Sequence, residues 1–140
     1  MNYSISNLTE VADCNELLTW AAREKGDLEY RKLSDERLTA RYAETSLEVN
    51  ADLQAVIAEI SALETVIAVL PDGPTKEDNL NKKVRLEYRK FLLETRKQSF
   101  GTVALLEKEM DLGRVIQEIE EADAFIAAVT TQKELLQESA

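Results

Sequence analysis

Residues 49–74 read VNADLQAVIAEISALETVIAVLPDGP, and this stretch decides the fold. Its apolar positions Val49, Leu53, Val56, Ile60, Leu63, Ile67 and Leu70 are spaced alternately four and three apart. That spacing keeps one face of an α-helix apolar over three heptads, as a left-handed coiled-coil seam requires. The run stops at Pro71-Asp72-Gly73-Pro74, which holds both punctuating residues and is the strongest turn signal in the chain.

Beyond the turn, Val115, Ile119, Ala122, Ile126 and Val129 repeat the four-three spacing. Upstream of them, Val84, Tyr88 and Phe91 begin a stripe that weakens through Thr95 and Ser99. Helix formers dominate, with only four Gly and two Pro in 140 residues. The expected fold is therefore all-α, a single domain over 1–140 forming a long antiparallel helical hairpin that is coiled-coil-like. Its helices are expected at about 8–70 and 76–138, joined by a turn at 71–74, each roughly 95 Å long at 1.5 Å per residue. Asn7 and Thr75 are the expected N-caps, with Glu10 and Asp78 three residues on. Gly26-Asp27 reads as a helix end followed by a new cap, so the alternative is a separate third helix from the first 25 residues.

An internal repeat is visible. Leu28-Glu29-Tyr30-Arg31-Lys32 recurs as Leu86-Glu87-Tyr88-Arg89-Lys90, and Val56-Ile57-x-Glu59-Ile60 recurs as Val115-Ile116-x-Glu118-Ile119. The offset changes by one residue between the two blocks, so 28–70 resembles 86–129 with one residue inserted. In a hairpin whose facing numbers sum to about 145, Ala43 and Gly101-Thr102 fall at the centre of the repeat. Small residues there are expected to let the helices approach closely.

The chain has 17 Lys+Arg against 27 Asp+Glu, a net charge of −10. From Tyr42 to Thr75 there is no base and there are six acids, whereas Lys82 to Lys97 holds seven bases and two acids. The hairpin places these segments opposite each other, Arg96 near Glu48 and Arg85 near Glu59. Arg31, Lys32, Arg37 and Arg41 are likewise expected to face Glu107, Glu109 and Asp111. Charges flanking a seam fix partner and orientation. Nucleic acid is a poor partner for so acidic a chain, although Lys82–Lys97 with Tyr88 and Phe91 supplies the one stretch suited to it.

The absence of histidine excludes a Ser-His-Asp triad, imidazole metal ligands and the Glu-x-x-His pairs of di-iron bundles. Cys14 is the sole cysteine, so no internal disulfide forms. Its expected role is that of a small, partly buried side chain. Glu118, Glu120, Glu121 and Asp123 form the densest acidic run, read as a solvated surface because a continuous helix splays carboxylates apart. Glu59 and Glu118 are far apart in the hairpin, and Trp20 is expected to contact Phe125. No catalytic, cofactor-binding or metal site is expected, and the protein is not expected to be an enzyme. Residues 1–10 lack the basic and apolar regions of a signal peptide, and no apolar run approaches a membrane span, so a cytoplasmic location is expected.

The informative excess is apolar. Ile57, Val66, Val69, Leu86, Leu92, Leu93, Leu106, Phe125, Leu135 and Leu136 lie wholly or partly off the seams and form the candidate interface. The simplest occupant is a second copy, two hairpins making a four-helix bundle. The expected function is a non-catalytic interaction or scaffold protein. The alternatives are an accessory subunit or chaperone-like binder of one protein partner, and a nucleic-acid-linked regulator acting through 82–97.

Overall fold

A computed structural model describes residues 1–139. A short 3-10 turn over Ile5–Asn7 precedes three helices: α1 (Val11–Val69), α2 (Pro74–Phe100) and α3 (Thr102–Glu138). No strand occurs among the described residues, and no helix is long and apolar enough to cross a membrane. The chain divides into two compact units. A terminal unit comprises residues 1–37 together with the chain from Met110 onward, and a middle unit comprises Leu38–Glu109.

In the middle unit the α1 seam is buried as its spacing requires. Val49 and Val56 are 1% exposed, with Leu53 and Ile60 also buried and Leu63 and Ile67 half-buried. Leu53, Val56 and Ile60 form one core cluster with Leu93 of α2, and Leu86 packs against it. Each such side chain contributes roughly 1.5–3 kcal/mol by leaving water. Tyr42 meets Phe100 with ring centroids 5.3 Å apart, and Thr39 donates to the Lys108 carbonyl at 3.5 Å.

In the terminal unit, Cys14, Ala21, Val115 and Val129 are buried. Gln132 Nε2 donates to the Leu8 carbonyl at 2.8 Å, which ties the segment before α1 to α3. Asn7 lies in the 3-10 turn and caps no α-helix, because α1 begins four residues later at Val11. Nor does Thr75 cap α2. That helix starts one residue earlier at Pro74, after Gly73, because the proline ring presets the helical φ and lacks the N–H that a cap would satisfy.

Helix α1 continues through Gly26 without interruption. The second expected helix, by contrast, is broken at Gly101. This residue takes an extended backbone (φ −82°, ψ −168°), and its N–H donates to the Lys97 carbonyl at 2.7 Å. A Cβ here would collide with that same Lys97 carbonyl oxygen. Gly101 is therefore required by its own preceding turn; it is buried and Ala43 is half-buried, so both lie on inward faces.

The break has a sequence cause. Inward positions along α1 follow four-three spacing, with Thr39, Tyr42 and Ser46 continuing to Val49. On α2 the inward set is Asn79, Lys83, Leu86, Lys90 and Leu93; after the break it resumes at Gly101, Leu105 and Lys108. From Leu93 the steps to 97, 101 and 105 are all four, which is one residue too many. In a continuous helix that extra residue would turn everything beyond it by about 100°. It falls in the stretch, 90 to 115, that is one residue longer than its counterpart, 32 to 56, and the break at Gly101 lies within it.

Equivalent residues of the repeat have equivalent environments. Val56 and Val115 are buried, Leu28 and Leu86 half-buried, and Tyr30 and Tyr88 exposed. Asp35 departs from this pattern, because its equivalent, Leu93, is a core residue. Asp35 Oδ2 is buried with no hydrogen-bond partner, and its ion pair to Arg31 is long at 3.9 Å. An unpaired buried polar atom costs roughly 1–3 kcal/mol. Asp35→Leu is therefore expected to raise stability by about 1–2 kcal/mol, read as a higher denaturant midpoint at unchanged slope.

Candidate functional site

Helix α2 is inside out. Its inward positions are largely Lys and Asn, relieved by Leu86 and Leu93. Its exposed face carries Leu80, Val84, Tyr88, Phe91 and Leu92. At about 100° per residue these five fall within about 120° of arc, one continuous stripe. Val84 is 63%, Tyr88 64% and Phe91 60% exposed. The sequence reading made these three the inward seam, and the structure reverses it. The buried line of α2 is Lys83, Leu86, Lys90 and Leu93, because lysine stems cover apolar surface while their ammonium groups reach carboxylates at the edge. Lys83 Nζ lies 3.3 Å from Glu64 and 3.8 Å from Glu87.

Alongside the apolar stripe runs a basic one: Lys82, Arg85, Arg89 and Arg96 fall within about 60° of arc. All four are exposed, and none has an ion-pair partner among the described residues. The expected pairs of Arg96 with Glu48 and Arg85 with Glu59 do not form. Of the nine ion pairs among the described residues, only Lys25–Asp123 and Lys83–Glu64 join different helices; the others are three or four residues apart in sequence. Arg31 and Lys32 pair in this way with Asp35 and Glu36. A neighbour one turn away is always in reach on a continuous helix, so it wins over a facing helix for most side chains.

The outward face of α1 in the same unit has the opposite character. Leu47, Ala51, Ala55, Ala58, Ala62 and Val69 are exposed along one line that also holds Glu44, flanked on one side by exposed Glu48, Asp52 and Glu59. Small residues and acids on α1 thus answer bulky residues and bases on α2.

The ten candidate interface residues separate into two groups. Ile57, Val66, Val69, Leu92 and Leu106 of the middle unit and Leu135 of the terminal unit are exposed, Val69 most at 81%. Leu86 and Leu93 are committed to the core, while Phe125 and Leu136 are half-buried. The sequence reading missed Val84, Tyr88 and Phe91 as surface residues because it had assigned them to the seam.

The terminal unit holds a cleft of about 270 Å³ lined by Tyr3, Trp20, Ala21, Glu24, Leu28, Glu121, Ala122 and Phe125. Tyr3 and Phe125 meet edge-to-face with centroids 5.0 Å apart and planes at 77°, and Trp20 and Phe125 do so at 6.0 Å and 84°. The Tyr3 hydroxyl donates to Glu121 Oε1. That bond, with some burial and the Glu121 charge, raises the Tyr3 pKa above its ordinary 10.0. Lys25 is raised above its ordinary 10.5, first by its hydrogen bond to Asp123 at 2.7 Å and then by that carboxylate's charge. Tyr3 and Glu24 escaped the sequence reading because Tyr3 lies outside the periodic segments and Glu24 is one acid among many.

The chain matches no protein-family model, no curated protein and no solved structure.

Both raised groups hold their protons more tightly in the folded state. The unfolded chain therefore releases protons first as pH rises. Their stabilisation is complete below the unfolded values near 10.0 and 10.5 and is lost as pH climbs through the higher folded ones. The urea midpoint is expected to fall between pH 9 and about pH 11.5, and Tyr3→Phe with Lys25→Met should flatten that fall. Among the described residues, no group of three or more Asp, Glu or Cys side chains is arranged to hold a metal ion. Cys14 is fully buried.

Proposed function

We propose that the protein is a non-catalytic helical interaction or scaffold protein that works as a homodimer. Its helices pair as a coiled-coil-like antiparallel hairpin, and two hairpins associate into a helical bundle. The observation that carries this reading is the exposed face of α2, with Val84, Tyr88 and Phe91 each at least 60% exposed beside four unpaired bases. Apolar stripes of this kind are covered in working assemblies. A second copy supplies what covers it: the small-residue, acid-flanked outward face of α1. In a twofold dimer each α2 packs on the partner's α1, and both contacts are complementary in size and charge.

Light scattering across concentrations tests the dimer, and a strict monomer refutes it. A charge-exchange experiment tests the pairing. Arg85→Glu with Arg89→Glu in one chain, and Glu48→Lys with Asp52→Lys in another, should each weaken self-association. Mixed together, the two variants should dimerise with each other, since both α2–α1 contacts are then complementary again. Failure of the mixture to recover would mean that α2 packs on something other than α1.

One observation favours a second reading. Lys82, Arg85, Arg89 and Arg96 form an exposed, unpaired stripe beside Tyr88 and Phe91, which is the make-up of a single-strand nucleic-acid platform. Four phosphate contacts would give a slope of about −3 in log affinity against log salt. Binding with that slope, abolished by Arg85→Glu with Arg89→Glu, would establish the regulator in place of the scaffold.

A further inference from the structure

We propose that the cleft between Tyr3, Trp20 and Phe125 binds an organic cation, an alkylammonium or guanidinium group such as a basic side chain presents. This site lies in the terminal unit and is independent of self-association through α2.

The rings are the first argument. Tyr3 and Trp20 both stand nearly perpendicular to Phe125. Each edge-to-face contact covers one face of one ring, so two such contacts leave at least four of the six faces of these three rings uncovered by another ring. Trp20 stays 49% exposed although it meets Phe125. A π-face carries negative potential and attracts a cation within about 6 Å of its centroid, tryptophan most strongly.

The polar lining is the second. The ionisable side chains besides Tyr3 that line the cleft are Glu24 and Glu121, and no Lys or Arg lines it. Lys25 is engaged by Asp123 and Glu29. Glu121 is held in place through Oε1 by the Tyr3 hydroxyl, while Oε2 has no hydrogen-bond partner among the described residues. The surrounding unit adds to the field, with fifteen acids against seven bases. An anion is repelled here, and a neutral apolar group would leave both carboxylates without the partner the site offers. A cation is attracted by the rings and the carboxylates together.

Size is the third. At about 270 Å³ the cleft is smaller than the roughly 300–1,000 Å³ of sites that enclose a whole drug-sized ligand. It suits one cationic head group and the methylenes behind it.

Trp20 is the protein's only tryptophan, so its fluorescence reports on the cleft alone. The full chain is titrated at constant ionic strength with tetramethylammonium, N-acetyl-lysine methylamide and N-acetyl-arginine methylamide. The neutral comparator is N-acetyl-norleucine methylamide. The cations are expected to give a saturable change with half-saturation at about 1–10 mM, and norleucine at least about tenfold higher. Glu24→Gln and Glu121→Gln should each raise the cation half-saturation about three- to tenfold and leave the norleucine response unchanged. Glu24→Gln also spares the Tyr3 hydrogen bond, so its effect is separable from any loosening of the cleft. A short lysine-rich peptide that binds tighter than tetramethylammonium identifies the source as a polypeptide, and the reverse order identifies a small amine. Equal half-saturation for lysine and norleucine, or no saturable change up to about 100 mM in the folded protein, overturns the proposal.

Discussion

Tyr88→Glu combined with Phe91→Glu is expected to abolish the proposed dimer and leave the helix content of the chain intact. Both side chains are exposed in the single chain, Tyr88 at 64% and Phe91 at 60%, so their loss removes little intrachain packing. Glutamate is also a better helix former than either aromatic residue. Arg85 is exposed and unpaired and offers the carboxylate at 88 a partner one turn away, whereas position 91 has Glu87 and Glu94 at that spacing, a repulsion of a few tenths of a kcal/mol that the long helix tolerates. In the proposed dimer the outcome reverses. Two carboxylates would be pressed against a partner face whose flank already carries Glu44, Glu48, Asp52 and Glu59. Desolvation and like-charge repulsion should weaken the dimer by at least about 100-fold, about 2.8 kcal/mol at 1.4 kcal/mol per tenfold. Sedimentation measures the change, and circular dichroism checks the helix. Tyr30→Glu is the control: Tyr30 is Tyr88's repeat equivalent and still more exposed at 78%, but it lies in the terminal unit. A double variant that stays dimeric would place the interface elsewhere.

That outcome turns on the one place where periodicity misleads. The spacing of Val84, Tyr88 and Phe91 is as regular as that of Val49, Leu53 and Val56, and both lines are apolar faces of helices. Regular spacing shows that a face is apolar; it does not show which neighbour covers it. For α1 the covering neighbour is within the chain, and its seam residues from Val49 to Leu70 are all buried or half-buried. The same holds for Val115, Ile119, Ala122, Ile126 and Val129 on α3. On α2 the inward line is half lysine, and no hydropathy pattern selects a line through Lys83 and Lys90 over one through Tyr88 and Phe91. The all-helical class was legible because it depends on local propensity and on breakers. The Trp20–Phe125 contact was legible because the two numbers sum to 145, the sum expected of facing residues. The cleft beside it was not, since Tyr3 reaches it from outside the periodic segments. Ion pairing was misread for two reasons: Arg31 and Lys32 take a carboxylate one turn along their own helix, and Arg85 and Arg96 lie on the exposed stripe of α2, where they pair with none among the described residues.

Deleting Ser99 together with Gly101→Ala is expected to give a protein more stable than Gly101→Ala alone by at least about 2 kcal/mol. Gly101→Ala by itself has two outcomes, both costly. If the break persists, the new Cβ meets the Lys97 carbonyl oxygen and the preceding turn must shift. If the helix instead runs on, the extra residue turns Leu105 and Lys108 by about 100° away from the inward line set by Leu86 and Leu93. Either route is expected to lower stability by about 1–3 kcal/mol. Removing Ser99, itself exposed, takes out that extra residue. The steps beyond Leu93 then return to alternating four and three, and a continuous helix keeps the inward line. Alanine now gains the roughly 1 kcal/mol by which it exceeds glycine in a helix. The shortened second helix would follow the same phase as α1, which has no insertion between Thr39 and Tyr42. As a control, deletion of Arg89 in place of Ser99 removes a residue where the phase is already correct. It should combine with Gly101→Ala to give a far less stable protein. Denaturant midpoints of the three variants decide the matter. If the Ser99 deletion fares no better than the Arg89 deletion, the break at Gly101 is not the accommodation of an inserted residue.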